Sequence, residues 1–183
     1  MDYYLRPKAA CAAIRRALAP LAVGLARSGD GAEVWVVNGT LESVEATVEL
    51  RLWQLDGAPM GSERLRATIE PNGTTELGAS GFSLAGAVIL EARLIVDDTI
   101  VARDSIWPEP FRYDALPDPL LFVGVDGETV TVSAIRPAKG VLLAAGEGVA
   151  WGDNFIDLFP GDERTVVARR IGDAAVQVTW LGR

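Results

Sequence analysis

The 183-residue chain contains no histidine and one cysteine, and both shortages restrict its chemistry. Without histidine, this chain cannot form a Ser-His-Asp triad or a histidine-ligated zinc site. Because Cys11 has no second cysteine to pair with, an intramolecular disulfide is excluded, and with it the disulfide-linked antibody type of domain. The groups left for a reactive site are carboxylates, lysine, arginine and hydroxyls.

Long apolar runs and an excess of basic residues are also lacking. No apolar run approaches the ~20 residues that span a bilayer. The net charge of −8, with acids and bases interspersed, disfavours a nucleic-acid-binding surface. Arg15 and Arg16 interrupt the Ala-rich N-terminal stretch, which therefore lacks the pattern of a signal peptide. These features are compatible with a cytoplasmic location but leave the compartment unknown.

One short helix is predicted, in residues 1–20. Its apolar positions recur at spacings of four, three and four, which places them on one stripe of an amphipathic helix: Pro7, Cys11, Ile14 and Leu18. Cys11 is predicted to be a small buried apolar residue. Two alternatives are open for the stripe. It packs on the β-domain that follows, or it is the last helix of a larger upstream domain, which requires exposed apolar surface and would permit self-association through the helix.

Residues 21–106 alternate with a period of two, which predicts an antiparallel β-sandwich. The alternation is clearest in residues 44–55, where Trp53 falls on the polar side. Further strands are predicted at 32–38, 64–69, 87–96 and 100–106, with turns at Asn38-Gly39, Asp56-Gly57, Pro71-Asn72-Gly73 and Asp97-Asp98. The connections are too short for parallel crossovers.

The same period returns in residues 120–183, which predicts a second and smaller sandwich. Its strands are predicted at 120–125, 128–135, 141–145, 165–169 and 175–181, with turns at Asp126-Gly127 and Pro137–Gly140. The fold class is therefore all-β: two tandem immunoglobulin-like antiparallel β-sandwiches with a short N-terminal helix.

Residues 107–119 separate the two predicted sandwiches. They hold four of the ten prolines, Pro108, Pro110, Pro117 and Pro119. Because proline cannot donate to a sheet ladder, this segment is predicted to be a semi-rigid, extended hinge. Its three aromatic residues are predicted to clamp the hinge onto its neighbours: Trp107, Phe111 and Tyr113.

Three stretches together carry a family resemblance. Residues 2–20 contain Tyr3 and then Pro7-Lys8, the spacing of the Tyr-x-x-x-Pro-Lys run that opens the last helix of the catalytic barrel in β-mannosidases of glycoside hydrolase family two. Residues 34–38 and the following Asp56-Gly57 turn are similar to the first strands of that family's next, immunoglobulin-like domain. Residues 153–162 resemble the Asp-Asn-Phe-Phe-Asp-Leu-x-Pro-Gly-Glu segment of its final domain.

The resemblance implies that the chain is the non-catalytic C-terminal region of a longer retaining glycosidase, acting on terminal β-D-mannose or a related β-linked sugar. In that family both catalytic glutamates lie on the upstream barrel, so no residue here inherits a catalytic role. It implies no cofactor, and the upstream barrel of the same polypeptide as partner. Ala9, Ala10, Cys11 and Ala12 replace the family's usual aromatics, and Asp162 replaces its Glu.

Three tryptophans are candidates for contact with carbohydrate or between domains: Trp53, Trp107 and Trp151. Aromatic faces stack on sugar rings, but tryptophan equally suits an interface that is dry on one side and wet on the other. Trp53 is predicted to be exposed, and Trp107 is favoured as a hinge clamp. Trp35 and Trp180 are predicted to be core residues. A carbohydrate-binding module and a stand-alone structural or interaction protein are the alternative functions.

The stretch from 153 to 161 holds a predicted structural motif, formed by Asp153, Asn154, Phe155, Asp157, Phe159, Pro160 and Gly161. Its oxygen-bearing side chains could ligate calcium. Such side chains more often bind their own backbone in turns, and this is the prediction, with no metal. The resemblance implies that the two phenylalanines fill the core and that Pro160-Gly161 makes the corner. The acidic pairs Asp97-Asp98 and Asp114/Asp118 are predicted to be solvated loop residues.

Overall fold

The computed structural model describes residues 7–109 and 116–182 of the chain. The chain divides into two compact units, one within Ile14–Asp114 and one within Ala115–Arg183 together with Met1–Ala13. Each unit consists of antiparallel strands in two sheets, which confirms the predicted all-β fold. Pro110, Phe111, Tyr113 and Asp114 lie outside the described residues. No helix in the described ranges is long and apolar enough to cross a membrane.

The elements follow one another in chain order as α1 (Ala9–Ala17), β1 (Leu21–Ser28), β2 (Gly31–Asn38), β3 (Val44–Gln54), β4 (Pro59–Ile69), β5 (Gly73–Ala79), β6 (Val88–Val96), β7 (Thr99–Ile106), β8 (Leu121–Asp126), β9 (Thr129–Ala134), β10 (Ala138–Ala144), β11 (Ala150–Trp151), β12 (Ile156–Leu158), β13 (Glu163–Arg169) and β14 (Gln177–Thr179).

The first unit is a sandwich of two sheets, with strand orders β1-β2-β5 and β4-β3-β6-β7. Its core is formed by the alternate apolar residues of β2, β3 and β6, among them Val36, Leu50, Leu90 and Leu94, all fully buried. Burial of each such leucine contributes roughly 1.5–3 kcal/mol. The alternation predicted for β3 is confirmed, because Ala46, Val48, Leu50 and Leu52 all face this core.

Short turns in the first unit follow the predicted chemistry. At Asp56-Gly57, Gly57 adopts a φ of 93° and its N–H donates to the Gln54 carbonyl at 3.0 Å. Asp97 and Asp98 adopt φ values of 47° and 59° between β6 and β7. Two positive φ angles are what a two-residue type I′ hairpin requires. These predictions are confirmed by the structure.

Two strands of the first unit, β1 and β5, are absent from the sequence-based prediction. Gly24 lies directly opposite Trp35 in the β1–β2 register. A Cβ at Gly24 would lie 2.3 Å from Cε2 of Trp35, so the indole occupies the space that a side chain would need. Trp35 therefore lies half-buried over its neighbouring strand, and the prediction that it is a core residue is wrong.

The second unit has sheets of order β11-β13-β9-β8 and β12-β10-β14 around a separate core that includes Val130, Val132, Leu143 and Ile156. The predicted Asp126-Gly127 hairpin is confirmed, with Gly127 at a φ of 55°. The predicted turn over Pro137–Gly140 is wrong: β10 already begins at Ala138. Gly140, at a φ of 58°, lies in a register irregularity between Ala138 and Val141.

Helix α1 has no buried residue. Ile14 and Leu18 are exposed and Cys11 is partly exposed, so the prediction of a buried Cys11 is wrong. The alternative in which the first sandwich buries this stripe does not hold either. The exposed apolar surface that the other alternative requires is present at Ile14 and Leu18.

Candidate functional site

In the first unit, the sheet β4-β3-β6-β7 carries a fully buried carboxylate, Glu91 on β6, on the face that points away from the core between the sheets. Its Oε1 accepts hydrogen bonds from Nε of Arg93 at 2.6 Å and from Nη1 of Arg103 at 3.3 Å. Its Oε2 accepts from Nε1 of Trp53 at 3.1 Å and lies 3.8 Å from Nη1 of Arg51. One carboxylate therefore binds three guanidinium groups and an indole.

The strand register assembles this cluster. Arg51 on β3 lies directly opposite Glu91, and Arg93 on β6 lies directly opposite Arg103 on β7. Like charges directly opposite each other on a sheet are destabilising. Glu91 lies beside both arginines and offsets their repulsion, while Glu49 lies 4.0 Å from Nη1 of Arg93. The cluster favours this register over any slip of β6 or β7.

The position of Glu91 is that of a structural group. A retaining glycosidase needs two carboxyl groups about 5 Å apart that both reach the substrate. Glu91 is fully buried, and its oxygens are occupied by hydrogen bonds to arginine and tryptophan. The sequence-based prediction missed this cluster. The signal for it was a glutamate and an arginine two residues apart on one strand face, with arginines on both neighbouring strands.

Trp53 lies on the predicted face of β3 but is only 4% exposed, so its predicted exposure is wrong. Its N–H is bound to Glu91, and the guanidinium of Arg51 lies over its ring at 4.3 Å. Trp107 is also buried and donates to the Ser105 hydroxyl at 3.0 Å. Trp151 is half-buried and packs against the second core. Buried indoles cannot stack on a sugar, so the carbohydrate hypothesis loses Trp53 and Trp107.

Asn154 joins the predicted motif to β10. Its Oδ1 accepts a hydrogen bond from the Leu143 N–H at 2.8 Å, and its Nδ2 donates to the Leu143 carbonyl, also at 2.8 Å. The same Oδ1 accepts from the Phe155 N–H at 2.9 Å. The side-chain amide thus pairs with a strand as a backbone residue would, just before β12 begins at Ile156.

The carboxylates of the motif bind nearby groups of the same unit. Asp157 accepts from Nζ of Lys139 at 2.7 Å and from the Gly140 N–H at 2.8 Å, and so holds the irregular start of β10. Asp153 accepts from its neighbour's N–H at 2.9 Å and lies 3.3 Å from Nη2 of Arg164. Within residues 7–109 and 116–182, no three acidic or cysteine side chains are grouped as metal ligands.

The apolar part of the motif is only partly as predicted. Phe159 is buried, and the Asp162 N–H donates to its carbonyl at 3.0 Å across Pro160-Gly161. Gly161 has a φ of 79°, so the predicted corner is confirmed, with proline and then glycine where a type II turn prefers them. Phe155 is partly exposed at a φ of 52°, and the implication that it fills the core is wrong.

Replacing Asn154 by aspartate is expected to lower the free energy of unfolding by about 2 kcal/mol, because a carboxylate still accepts from Leu143 N–H but cannot donate to its carbonyl. Urea denaturation at pH 7 measures the change. Asp173→Asn, in an exposed turn, is the control that also alters one charge and should stay within about 0.5 kcal/mol of the parent. Equal losses in both variants would contradict the role given to Asn154.

Two family models match the chain, one over most of each sandwich. Residues 30–113 match a model described as a mannosidase Ig/CBM-like domain. Residues 116–179 match a mannosidase model described as an Ig-fold domain.

Relatives and solved structures agree with these matches. The chain is 33% identical over 210 aligned residues to "Beta-mannosidase B" of Neosartorya fischeri, with 100% of this chain and 25% of that protein covered. The crystal structure of β-D-mannosidase from Dictyoglomus thermophilum superposes with a TM-score of 0.81 at 21% identity, covering 97% of this chain and 24% of the other. The exo-chitosanase of Amycolatopsis orientalis gives a TM-score of 0.76 at 19% identity, covering 98% and 28%.

The chain thus spans about a quarter of the length of the curated relatives it matches, as a C-terminal part of those longer polypeptides. The solved structures, below 25% identity, support the fold alone. The family models match the two sandwiches one after the other, in the order that the resemblance implied. On this evidence, the chain belongs to the immunoglobulin-like accessory domains of the β-mannosidase family.

Proposed function

We propose that this chain supports the catalytic part of a longer β-mannosidase-like glycoside hydrolase and does no chemistry of its own. The observation that carries the proposal is coverage: the whole chain matches β-mannosidase B, yet it accounts for only a quarter of that protein. The remaining three quarters of such a polypeptide would supply the two carboxyl groups of a retaining mechanism. The substrate would be a terminal β-D-mannoside or a related β-linked sugar.

The contacts of three buried or partly buried polar residues support a structural role. Glu91 is held by arginines and tryptophan inside a sheet face, and Asp157 and Asn154 are bound to the backbone of β10. Groups used in this way fix strand register and turn geometry. They are not placed to exchange protons with a substrate.

Helix α1 supports a partner in the same polypeptide. Ile14 in this short helix and Leu18, directly after its end, are both exposed, and the helix precedes the first strand of the first sandwich. Exposed apolar surface of this kind marks an interaction site. We place the upstream catalytic part of the polypeptide on this face.

Incubation of the purified 183-residue chain with a chromogenic β-mannoside tests the non-catalytic role. We expect no turnover above that of a preparation from cells carrying an empty vector. Turnover that copurifies with the chain, and that falls when its buried or exposed carboxylates are replaced, would overturn the proposal.

The proposed supporting role is tested in the longer polypeptide, which is obtained by extending the reading frame upstream of this chain. That polypeptide is expected to hydrolyse the β-mannoside. Asn154→Asp in it should shorten the half-life of activity on heating while leaving KM and kcat unchanged at low temperature. A change in kcat at low temperature, without loss of stability, would assign the region a part in the chemistry instead.

A further inference from the structure

Strand β8 is an edge strand with apolar side chains exposed on both faces. Among the strands that the structure describes, it pairs with β9 alone, at one end of the sheet β11-β13-β9-β8. On one face Val123 and Val125 are 38% and 49% exposed, and on the other Phe122 is 60% exposed. The inner face of β8 extends the core side of the sheet, because these valines lie opposite the buried Val132 and Val130.

The free edge of β8 also has backbone groups available for pairing. The two-residue hairpin joins Asp126 and Thr129 as neighbours across the turn, so that their backbone groups bond each other. Because hydrogen-bonded and non-hydrogen-bonded pairs alternate along an antiparallel ladder, Phe122 and Gly124 also face β9. The N–H and C=O groups of Leu121, Val123 and Val125 therefore point away from β9.

This edge lacks the features that keep edge strands apart. Native edge strands are protected by charged side chains, prolines or bulges. Strand β4, an edge of the other sandwich, carries Glu63, Arg64 and Arg66 within it. The sequence of β8, Leu-Phe-Val-Gly-Val-Asp, has one charge, at its last position, and its pairing with β9 is regular throughout.

We infer that β8 pairs with β8 of a second copy of this chain, antiparallel, across a twofold axis at Val123. In this register Leu121 of one copy lies opposite Val125 of the other copy. Val123 of one copy lies opposite Val123 of the other. The outward-pointing backbone groups of both strands then bond each other. The valines of the two copies form one continuous apolar strip on the core side.

The other face of the strand favours the same partner and register. Phe122 lies opposite the glycine at position 124 of the second copy, and the reverse holds on the other side of the axis. A Cβ at Gly124 would have no atom within 4 Å, so the space beside it is open. An aromatic ring over a cross-strand glycine already occurs in this chain, where Trp35 covers Gly24. In this register the edge is therefore complementary to itself.

The pair buries a small apolar area between two acidic chains. With a net charge of −8 on each copy and one short strand in contact, we expect a dissociation constant of roughly 10 µM to 1 mM. Salt screens the repulsion between the copies. Added salt should therefore strengthen the dimer, the opposite of its effect on an interface made by ion pairs.

Sedimentation equilibrium of the full chain over a range of concentrations and salt tests the pairing. We expect a monomer–dimer equilibrium that shifts toward dimer with salt. Val123→Lys should raise the dissociation constant by about tenfold or more, because two ammonium groups meet at the axis. The matched control is Val101→Lys, which changes a valine that is 40% exposed on edge strand β7 and should have little effect. A chain that stays monomeric, or equal effects of both variants, would overturn the inference.

Disulfide trapping tests the register without relying on Val123. In a Cys11→Ser background, Phe122→Cys and Gly124→Cys chains are mixed and oxidised. In the proposed register, position 122 of one copy and position 124 of the other form a non-hydrogen-bonded pair, whose Cα atoms are about 4.5 Å apart and within disulfide reach. Position 122 of one copy and position 122 of the other are offset by two residues, so two copies of the same variant are not aligned for a disulfide. The mixture should give more covalent dimer than either chain alone. More dimer from a single variant than from the mixture would reject this register.

Discussion

Replacing Glu91 by alanine is expected to lower the free energy of unfolding by about 3–5 kcal/mol, the cost of removing one partner from a buried ionic cluster. Three arginines contact this carboxylate, and Arg93 is itself largely buried. Without Glu91, Arg93 and Arg103 face each other across β6 and β7 and lose the carboxylate that both contact. The N–H of Trp53 loses its acceptor as well.

Urea denaturation followed by tryptophan fluorescence measures this change. Glu91→Gln, which keeps the shape and one acceptor for Trp53, should cost less than alanine but still about 2 kcal/mol, because the charge is lost. Glu76→Ala, on the exposed side of β5, is the control and should change stability by no more than about 0.5 kcal/mol. A Glu91→Ala chain as stable as the Glu76→Ala chain would show that the cluster contributes nothing to stability.

The sequence predicts the strands and turns whose geometry depends on neighbouring residues alone. Alternation in β3 assigned the right side chains to the core, because a half-buried strand repeats with period two. Asp56-Gly57 and Asp126-Gly127 were recognised as turns since glycine adopts a positive φ at little cost. The Pro160-Gly161 corner was implied by the family resemblance, and Gly161 adopts a positive φ there too.

The features that the sequence does not predict depend on side-chain contacts between strands that are far apart in the chain. Trp53 lies on the predicted face, but it is buried there with its N–H bound to Glu91, which lies 38 residues away in sequence. Strand β1 carries Gly24, which weakens the strand signal, and only Trp35 on the opposite strand explains the glycine. Likewise, Pro137 and Gly140 suggested a turn, whereas Asp157 holds an irregular strand there.

Polar residues in both units share a structural use. Glu91 fixes register, Asn154 replaces a missing backbone partner, and Asp104 accepts from the Leu25 N–H at 2.8 Å. Polar groups removed from water require hydrogen-bond partners, and these three residues have them within their own unit. Each domain is thus held by its own polar contacts, which suits the supporting role proposed above.

Replacing Asn38 by aspartate is expected to cost about 4 kcal/mol or more, among the largest effects of a single substitution. Asn38 is fully buried where the chain crosses from β2 to the other sheet. Its Nδ2 donates to the carbonyls of Glu42 at 2.8 Å and Ile69 at 3.0 Å, and its Oδ1 accepts from Thr40 N–H and hydroxyl at 2.9 and 2.7 Å.

A carboxylate in that place would keep the bonds from Thr40 but turn an oxygen toward two carbonyl oxygens, one of them buried, with no donor between them. Thermal and urea unfolding of Asn38→Asp measure the loss. Asn72→Asp is the matched control, because it makes the same replacement at an exposed turn position with a φ of 46°, which both residues tolerate, and should cost about 1 kcal/mol at most. Similar losses at the two positions would mean that negative charge, rather than the two unanswered carbonyls, causes the destabilisation.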